Sequence, residues 1–241
     1  MHLKALAAAT TLLLAALPAT AEDNLPESWD GLVEVNSEHL AIVYLAPGAD
    51  LGAYQRVMVD PTEVAMRKNW LHDQNAYREL VNRVGEKEVD QILRAARDLG
   101  ADLLHAAHSE AGYQPASAPA PDVLRISTAI VNIDVRAPDV MPTGRRFTYA
   151  TDRVEATLVM ELRDSVTNRL IARLIDRRET SGQPTRMNVV PNTAQLRHLF
   201  SGWNSSVGRG LDALKAHSPL PDPLTPGQKL NEAQPGESGR G

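Results

Sequence analysis

The chain has 241 residues, of which 43% are hydrophobic and 23% are charged, which suits one globular domain with short appendages. It contains no cysteine, so disulfides, thiolate nucleophiles and cysteine-ligated metals are excluded. The net charge of −5, with only three Trp, five Tyr and two Phe, argues against nucleic-acid binding.

The first 21 residues have the pattern of a secretory signal peptide. Lys4 supplies a positive start, an uncharged apolar run of 13 residues ends at Leu17, and Ala19 and Ala21 are small residues suited to cleavage. The run is too short to span a bilayer, and the alternative is a buried N-terminal helix. No cysteine follows it, so no lipid anchor is expected. We expect a periplasmic or secreted protein, cleaved near Ala21, with no integral membrane span in the mature chain.

Residues 22–37 predict an irregular lead-in, and residues 40–45 and 56–60 predict strands, with a further extended segment at 62–66. Residues 86–109 carry apolar side chains at the i, i+3, i+4, i+7 spacing of an amphipathic helix. Gly100 lies on the apolar face of this helix and indicates close packing on a sheet. The alternative is two helices broken at Gly100, and Gly112 predicts the stop.

Residues 123–135 predict a long strand whose apolar side chains change face after Ile130, which indicates a β-bulge or burial on both faces. A polar loop is expected over 136–152. Residues 153–163 and 169–178 predict a β-hairpin, with Asn168 in the left-handed conformation at its turn.

The turn predicts a register for this hairpin. Glu161 pairs with Arg173 on the outer side of the sheet, where opposite charges support the pairing. Asp176 falls on the core side, opposite Leu158.

The last helix is predicted over residues 193–216, with Asn192 as its N-cap, and it also has one apolar face. Residues 217–241 are rich in Pro and Gly and predict a disordered tail. The expected fold is a single α+β domain over 38–216. In it, two long amphipathic helices pack on one face of a mainly antiparallel sheet.

Asp176 is the sharpest candidate for chemistry, because a buried carboxylate needs partners or shifts its pKa. It is either a functional acid or a tie between the sheet rim and a loop or helix end. Asp134 raises the same question, although the change of face leaves its side open.

Two further groups are candidates for binding. Glu161, Arg173 and Arg177 are expected on an open sheet face, which is either a docking surface or simply solvated. His105 and His108 are spaced to share a metal, but they are expected on a solvated helix face. We assign no catalytic residue, metal ligand or cofactor, since no nucleophile or nucleotide-binding motif occurs.

Several separated motifs occur in the order typical of a bacterial envelope family, domain of unknown function 3313. They are residues 44–54, 57–64, 121–126 and 154–167, the run Asp176-Arg177-Arg178, and Trp203. The chain resembles this family over roughly residues 38–215. The resemblance implies secretion and a mixed α+β domain, but no established activity. Members are often lipoproteins, whereas this chain lacks the cysteine, and Asn168 stands where the family usually has glycine.

These observations favour a non-enzymatic periplasmic accessory or binding module of the cell envelope, with an envelope protein as its partner. The alternative is a hydrolase-type enzyme with an acid site around Asp176. Burial geometry discriminates between them: a pocket with a second titratable group favours the enzyme, and a capped backbone amide at the sheet rim disfavours it.

Overall fold

The computed structural model describes residues 26–76, 78, 80, 83–135, 149–150, 153–181, 185–186 and 193–229. Within this part of the chain, ten strands form one sheet, and two long helices pack together on one of its faces. The predicted α+β class is therefore confirmed. The predicted signal peptide, the Asn192 cap and most of the 136–152 loop lie outside the described residues.

Strands β1 to β12 are Ser28–Trp29, Leu32–Asn36, Ile42–Leu45, Arg56–Val59, Glu63–Met66, Gln114–Pro115, Val123–Val135, Tyr149–Ala150, Arg153–Asp164, Leu170–Ser181, Thr185–Arg186 and Gln228–Lys229. Helices α1 to α3 are Trp70–Asn75, Glu86–Glu110 and Thr193–Ala216. The large sheet has the order β1-β2-β3-β10-β9-β7-β4-β6, with β12 paired to β2 and β5 to β7. Its central pairs are antiparallel, while β4 and β5 run parallel to β7.

The β9–β10 hairpin has the predicted register from Ala172 onward. Next to the turn, Leu170 pairs with Arg163, and the pairing shifts by one residue between Leu170 and Ala172. Glu161 is opposite Arg173, and Asp176 is opposite Leu158. Asn168 has a φ of 60°, the left-handed conformation expected at the turn. Because side chains alternate between faces, this register decides which residues face the helices and which face away.

Strand β7 contains the bulge that its apolar pattern predicts. The pairing with β9 shifts by one residue between Val131 and Asp134, and Asn132 has a φ of 53°. Ile130 before the bulge and Ile133 after it both lie in the main core. The bulge therefore keeps the apolar side chains of a 13-residue strand directed at the helices.

Helix α2 is one continuous helix, so the alternative of a break at Gly100 is wrong. Gly100 is buried against the sheet: a Cβ atom there would lie 2.8 Å from Thr62 Cγ2 and 3.0 Å from Ile130 Cδ1. The glycine thus lets the helix backbone approach the sheet closely. Gly112 follows the helix with a φ of 73°, as expected of a helix stop.

Residues 217–229 are packed on the domain, so the predicted disorder of 217–241 is wrong over this stretch. Leu220 and Leu224 are buried, and the Leu220 amide donates to the Ala49 carbonyl over 2.8 Å. Ser218 Oγ accepts a hydrogen bond from the Leu51 amide over 2.9 Å. Prolines prevent helix formation in this segment, but they do not prevent the burial of its leucines. The folded domain therefore extends at least to residue 229.

Several short elements were not predicted, among them β1, β2 and α1. Strands β1 and β2 occupy the expected irregular lead-in, and α1 follows β5. Asp30 and Gly31, with φ of 56° and 78°, form a tight turn that folds β1 back on β2. Strand β2 buries Leu32 and Val35, whose spacing of three does not have the alternation of a typical strand.

Gly100→Ala is expected to destabilise the protein by up to about 2 kcal/mol. Overpacking of a tight core typically costs about 1–3 kcal/mol, whereas alanine contributes about 1 kcal/mol to a helix relative to glycine. Gly210→Ala in α3 is the matched control, because its Cβ would make an ordinary 3.5 Å contact with Leu40 Cδ1. The control should stabilise by up to about 1 kcal/mol. Urea unfolding of both variants measures the difference, and changes of the same sign would contradict the packing argument.

Candidate functional site

Asp176 joins the sheet to a loop and to helix α3. It is only 6% exposed and faces the helices, as the register predicts. Its Oδ1 accepts from the Ala41 amide over 3.0 Å, and its Oδ2 accepts from Trp203 Nε1 over 2.9 Å and from Arg178 Nε over 2.7 Å. Arg178 in turn donates to Ser206 Oγ over 2.7 Å. The carboxylate therefore has three donors, one of them a cation.

Asp176 thus links the rim of the sheet to a loop and to a helix. The last β3–β10 pair is Ile175 with Ile42, so Ala41 lies just beyond the paired end of β3. The carboxylate caps the Ala41 amide there and holds Trp203 on the opposite helix. Of the two roles predicted for Asp176, these contacts fit the structural one.

Asp176→Asn is expected to destabilise the protein by about 2–4 kcal/mol, since it leaves the Arg178 cation and two further donors without their carboxylate. Asp122→Asn is a suitable control, because Asp122 forms a half-exposed pair with Arg56. Breaking an exposed ion pair costs much less stability than breaking a buried one. Guanidinium unfolding compares the two variants, and equal losses would show that the tie contributes no more than a surface ion pair.

Two of the three residues predicted to lie on an open sheet face are buried. Arg173 and Glu161 are 7% and 6% exposed. Arg173 donates to Glu161 over 2.9 and 2.7 Å and to Asp30 over 2.8 Å, and its guanidinium lies 4.0 Å from the Trp29 ring centroid. The expectation of an open surface was wrong here because the β1–β2 turn brings Trp29 and Asp30 over the strands.

Arg177 is exposed and pairs with Glu155 over 2.8 Å between Nε and Oε1. Of the three predicted binding residues, it is the one that the structure leaves at the surface. Asp134 is also partly exposed and pairs with Arg67 over 2.8 Å. Glu155 and Asp134 are therefore both engaged in ion pairs with arginine side chains.

The two histidines of α2 have different environments. His105 is exposed, but His108 is buried, so the expected solvated position is wrong for His108. Their ring centroids are 5.6 Å apart. Among the described residues, no group of three or more His, Asp or Glu is placed to hold a metal ion. Burial and the neighbouring His105 lower the pKa of His108.

Stability is expected to fall as the pH drops through the histidine range, partly because of His108. Its pKa is lower in the folded chain than in the unfolded chain, so the unfolded state binds the proton first. Neutral His108 therefore makes its full contribution to stability above its pKa in the unfolded chain, about 6.5. This contribution is lost as the pH falls below that value. His108→Gln should flatten the curve of unfolding free energy against pH between about 7 and 5. The exposed His198→Gln is the control, and an unchanged slope in His108→Gln would refute this assignment.

A groove lies between the β2–β3 loop, the end of α3 and β12. Its volume is about 140 Å³, and it is partly open to solvent. Val43 and Leu174 form part of the floor, where they are directly paired across β3 and β10. Leu40 and Leu214 also line it, and both are buried.

Small residues on α3 make room for this groove. Gly210 and Ala213 lie one helical turn apart and line it together with Leu214. They interrupt an apolar stripe that otherwise carries large side chains. This interruption is the signal in the sequence that could have indicated a cavity.

The rim of the groove is polar, and hydrogen bonds between side chains and backbone groups hold it in place. Ser37 Oγ accepts from the His39 and Leu40 amides over 3.2 and 3.3 Å. Asn36 Nδ2 donates to the Gly227 carbonyl over 2.6 Å, and Lys229 pairs with Asn36 in the parallel β12–β2 ladder. The rim therefore depends on the C-terminal segment. Its lining side chains include Glu38, His39 and Lys229.

Comparison with known proteins gives one family and a set of distant structures. The model of the family described as "Protein of unknown function (DUF3313)" matches residues 21–207. A PelC dodecamer from Paraburkholderia phytofirmans is 14% identical, with a TM-score of 0.32, over 72% of this chain and 96% of that chain. A neuraminyllactose-binding hemagglutinin homolog from Helicobacter pylori is 9% identical, with a TM-score of 0.38, over 71% and 92%.

No curated protein sequence matches the chain. None of the described helices is long and apolar enough to cross a membrane.

Proposed function

The chain belongs to the DUF3313 family of proteins of unknown function, and we propose that it acts as an exported, non-enzymatic binding module of the bacterial cell envelope. The groove beside the end of α3 carries this proposal. It combines concave shape, an apolar floor and a few polar groups at the rim, which is the usual composition of a ligand site.

Export is supported by the N-terminal pattern of a positive residue, an apolar run and small residues before Glu22. The domain begins close to the expected cleavage point. The carbonyl of Pro26 accepts a hydrogen bond from Tyr44 Oη over 2.7 Å, which anchors the start of the described chain to β3. Cleavage near Ala21 would therefore remove none of the described residues.

The hydrolase-type alternative requires Asp176 to act on a substrate. Its carboxylate already accepts hydrogen bonds from the Ala41 amide, Trp203 and Arg178. The contacts of Asp176 therefore favour the binding module over the enzyme.

The proposal is tested by photo-crosslinking in intact cells of the bacterium that carries the gene. A photoreactive p-benzoylphenylalanine replaces His39 at the groove rim, and in the control it replaces Val166, an exposed residue of the β9–β10 turn. Because the groove is the expected contact, a discrete crosslinked envelope component should appear with the His39 variant and be absent with the Val166 variant. Mass spectrometry identifies it.

Two outcomes would contradict the proposal. Identical products from both positions would indicate nonspecific contact, and no product from the groove position would remove the groove as the contact site for an envelope component. Circular dichroism of both purified variants establishes that each is folded, so a blank result is informative.

A further inference from the structure

The dimensions of the groove restrict the apolar group that it accepts. Its volume of about 140 Å³ is close to that of a protein cavity of about 150 Å³ that binds benzene. Such a space takes one branched aliphatic or aromatic side chain, and it is too small for a whole acyl chain. The floor of Val43, Leu174 and Leu214 offers that group contact on both the sheet and the helix side.

The rim carries charges of both signs beside this apolar space. The acidic residue Glu38 and the basic residue Lys229 are both among the residues that line the groove. Both already interact within the protein. A ligand that carries both charges is complementary to both rim residues, whereas a ligand with one charge is complementary to only one of them.

We propose that the groove binds a small apolar α-amino acid as its zwitterion, with leucine as the representative ligand. The side chain occupies the space over Val43 and Leu174. The ammonium group pairs with Glu38, and the carboxylate pairs with Lys229. This inference rests on the proposed function, because it names the ligand class of the same groove.

The ligand series separates the contributions of the side chain and the charges. Isothermal titration of the full exported protein uses leucine, alanine and the uncharged N-acetyl-leucine amide. Alanine should bind at least about tenfold more weakly than leucine, because it leaves the floor uncovered. The uncharged derivative should also lose about tenfold, because it forms no ion pair at the rim. Equal binding of leucine and its uncharged derivative would overturn the zwitterion assignment.

Protein variants locate the site. Ala213→Leu fills the groove from α3 and should reduce leucine binding by at least about tenfold. Ala216→Leu introduces the same side chain at an exposed position of α3 and should leave binding unchanged. Lys229→Gln should weaken leucine binding while sparing the uncharged derivative. Thermal unfolding of each variant shows whether the fold is retained.

The result distinguishes failure of this inference from failure of the proposed function. If leucine produces no heat and no shift in melting temperature, the amino-acid assignment is wrong. A crosslink from His39 under the same conditions would then still support the binding module. If leucine binds and Ala213→Leu has no effect, the ligand binds elsewhere and the groove assignment is wrong.

Discussion

The carboxylate of Asp176 is the contact on which the arrangement of the groove depends. It holds the amide of Ala41, the residue after Leu40 of the groove wall, and the indole of Trp203, two turns before Gly210. Leu174 of the groove floor lies two residues before Asp176 and on the same face of β10. One buried anion therefore positions the loop, the strand and the helix that surround the cavity. A buried carboxylate without hydrogen-bond donors is strongly destabilising, so the three donors are a condition of the arrangement.

Each face of the sheet buries a charged side chain, and different elements pair and cover that side chain on the two faces. On the helix side, Asp176 is neutralised by Arg178 and covered by α3. On the other side none of the described long helices packs, and Arg173 is covered by Trp29 and paired with Glu161 and Asp30. The N-terminal turn thus takes the place of a helix layer. This explains why residues that alternation places on an outer face are still buried.

Local periodicity predicted most of the framework. The spacing of apolar residues predicted both long helices, because a helix that covers a sheet needs an apolar stripe along its length. The left-handed turn at Asn168 predicted a hairpin register that the structure has from Ala172 onward, after the pairing shifts by one residue between Leu170 and Ala172. From that register followed the burial of Asp176. These features depend on neighbours a few residues apart, so one sequence contains enough information to predict them.

The groove depends on neighbours that are far apart in the chain, and this is why it escaped prediction. Its walls come from residues 36–43, 174, 210–214 and 229. The last of these lies in a segment whose Pro and Gly content is typical of disorder, although Leu220 and Leu224 anchor it in the core. The small residues Gly210 and Ala213 indicate a gap in the apolar stripe of α3, but the sequence alone does not show whether the opposite wall fills that gap. A cavity of this kind is a gap in packing, and a gap becomes visible only when all of the surrounding elements have been placed.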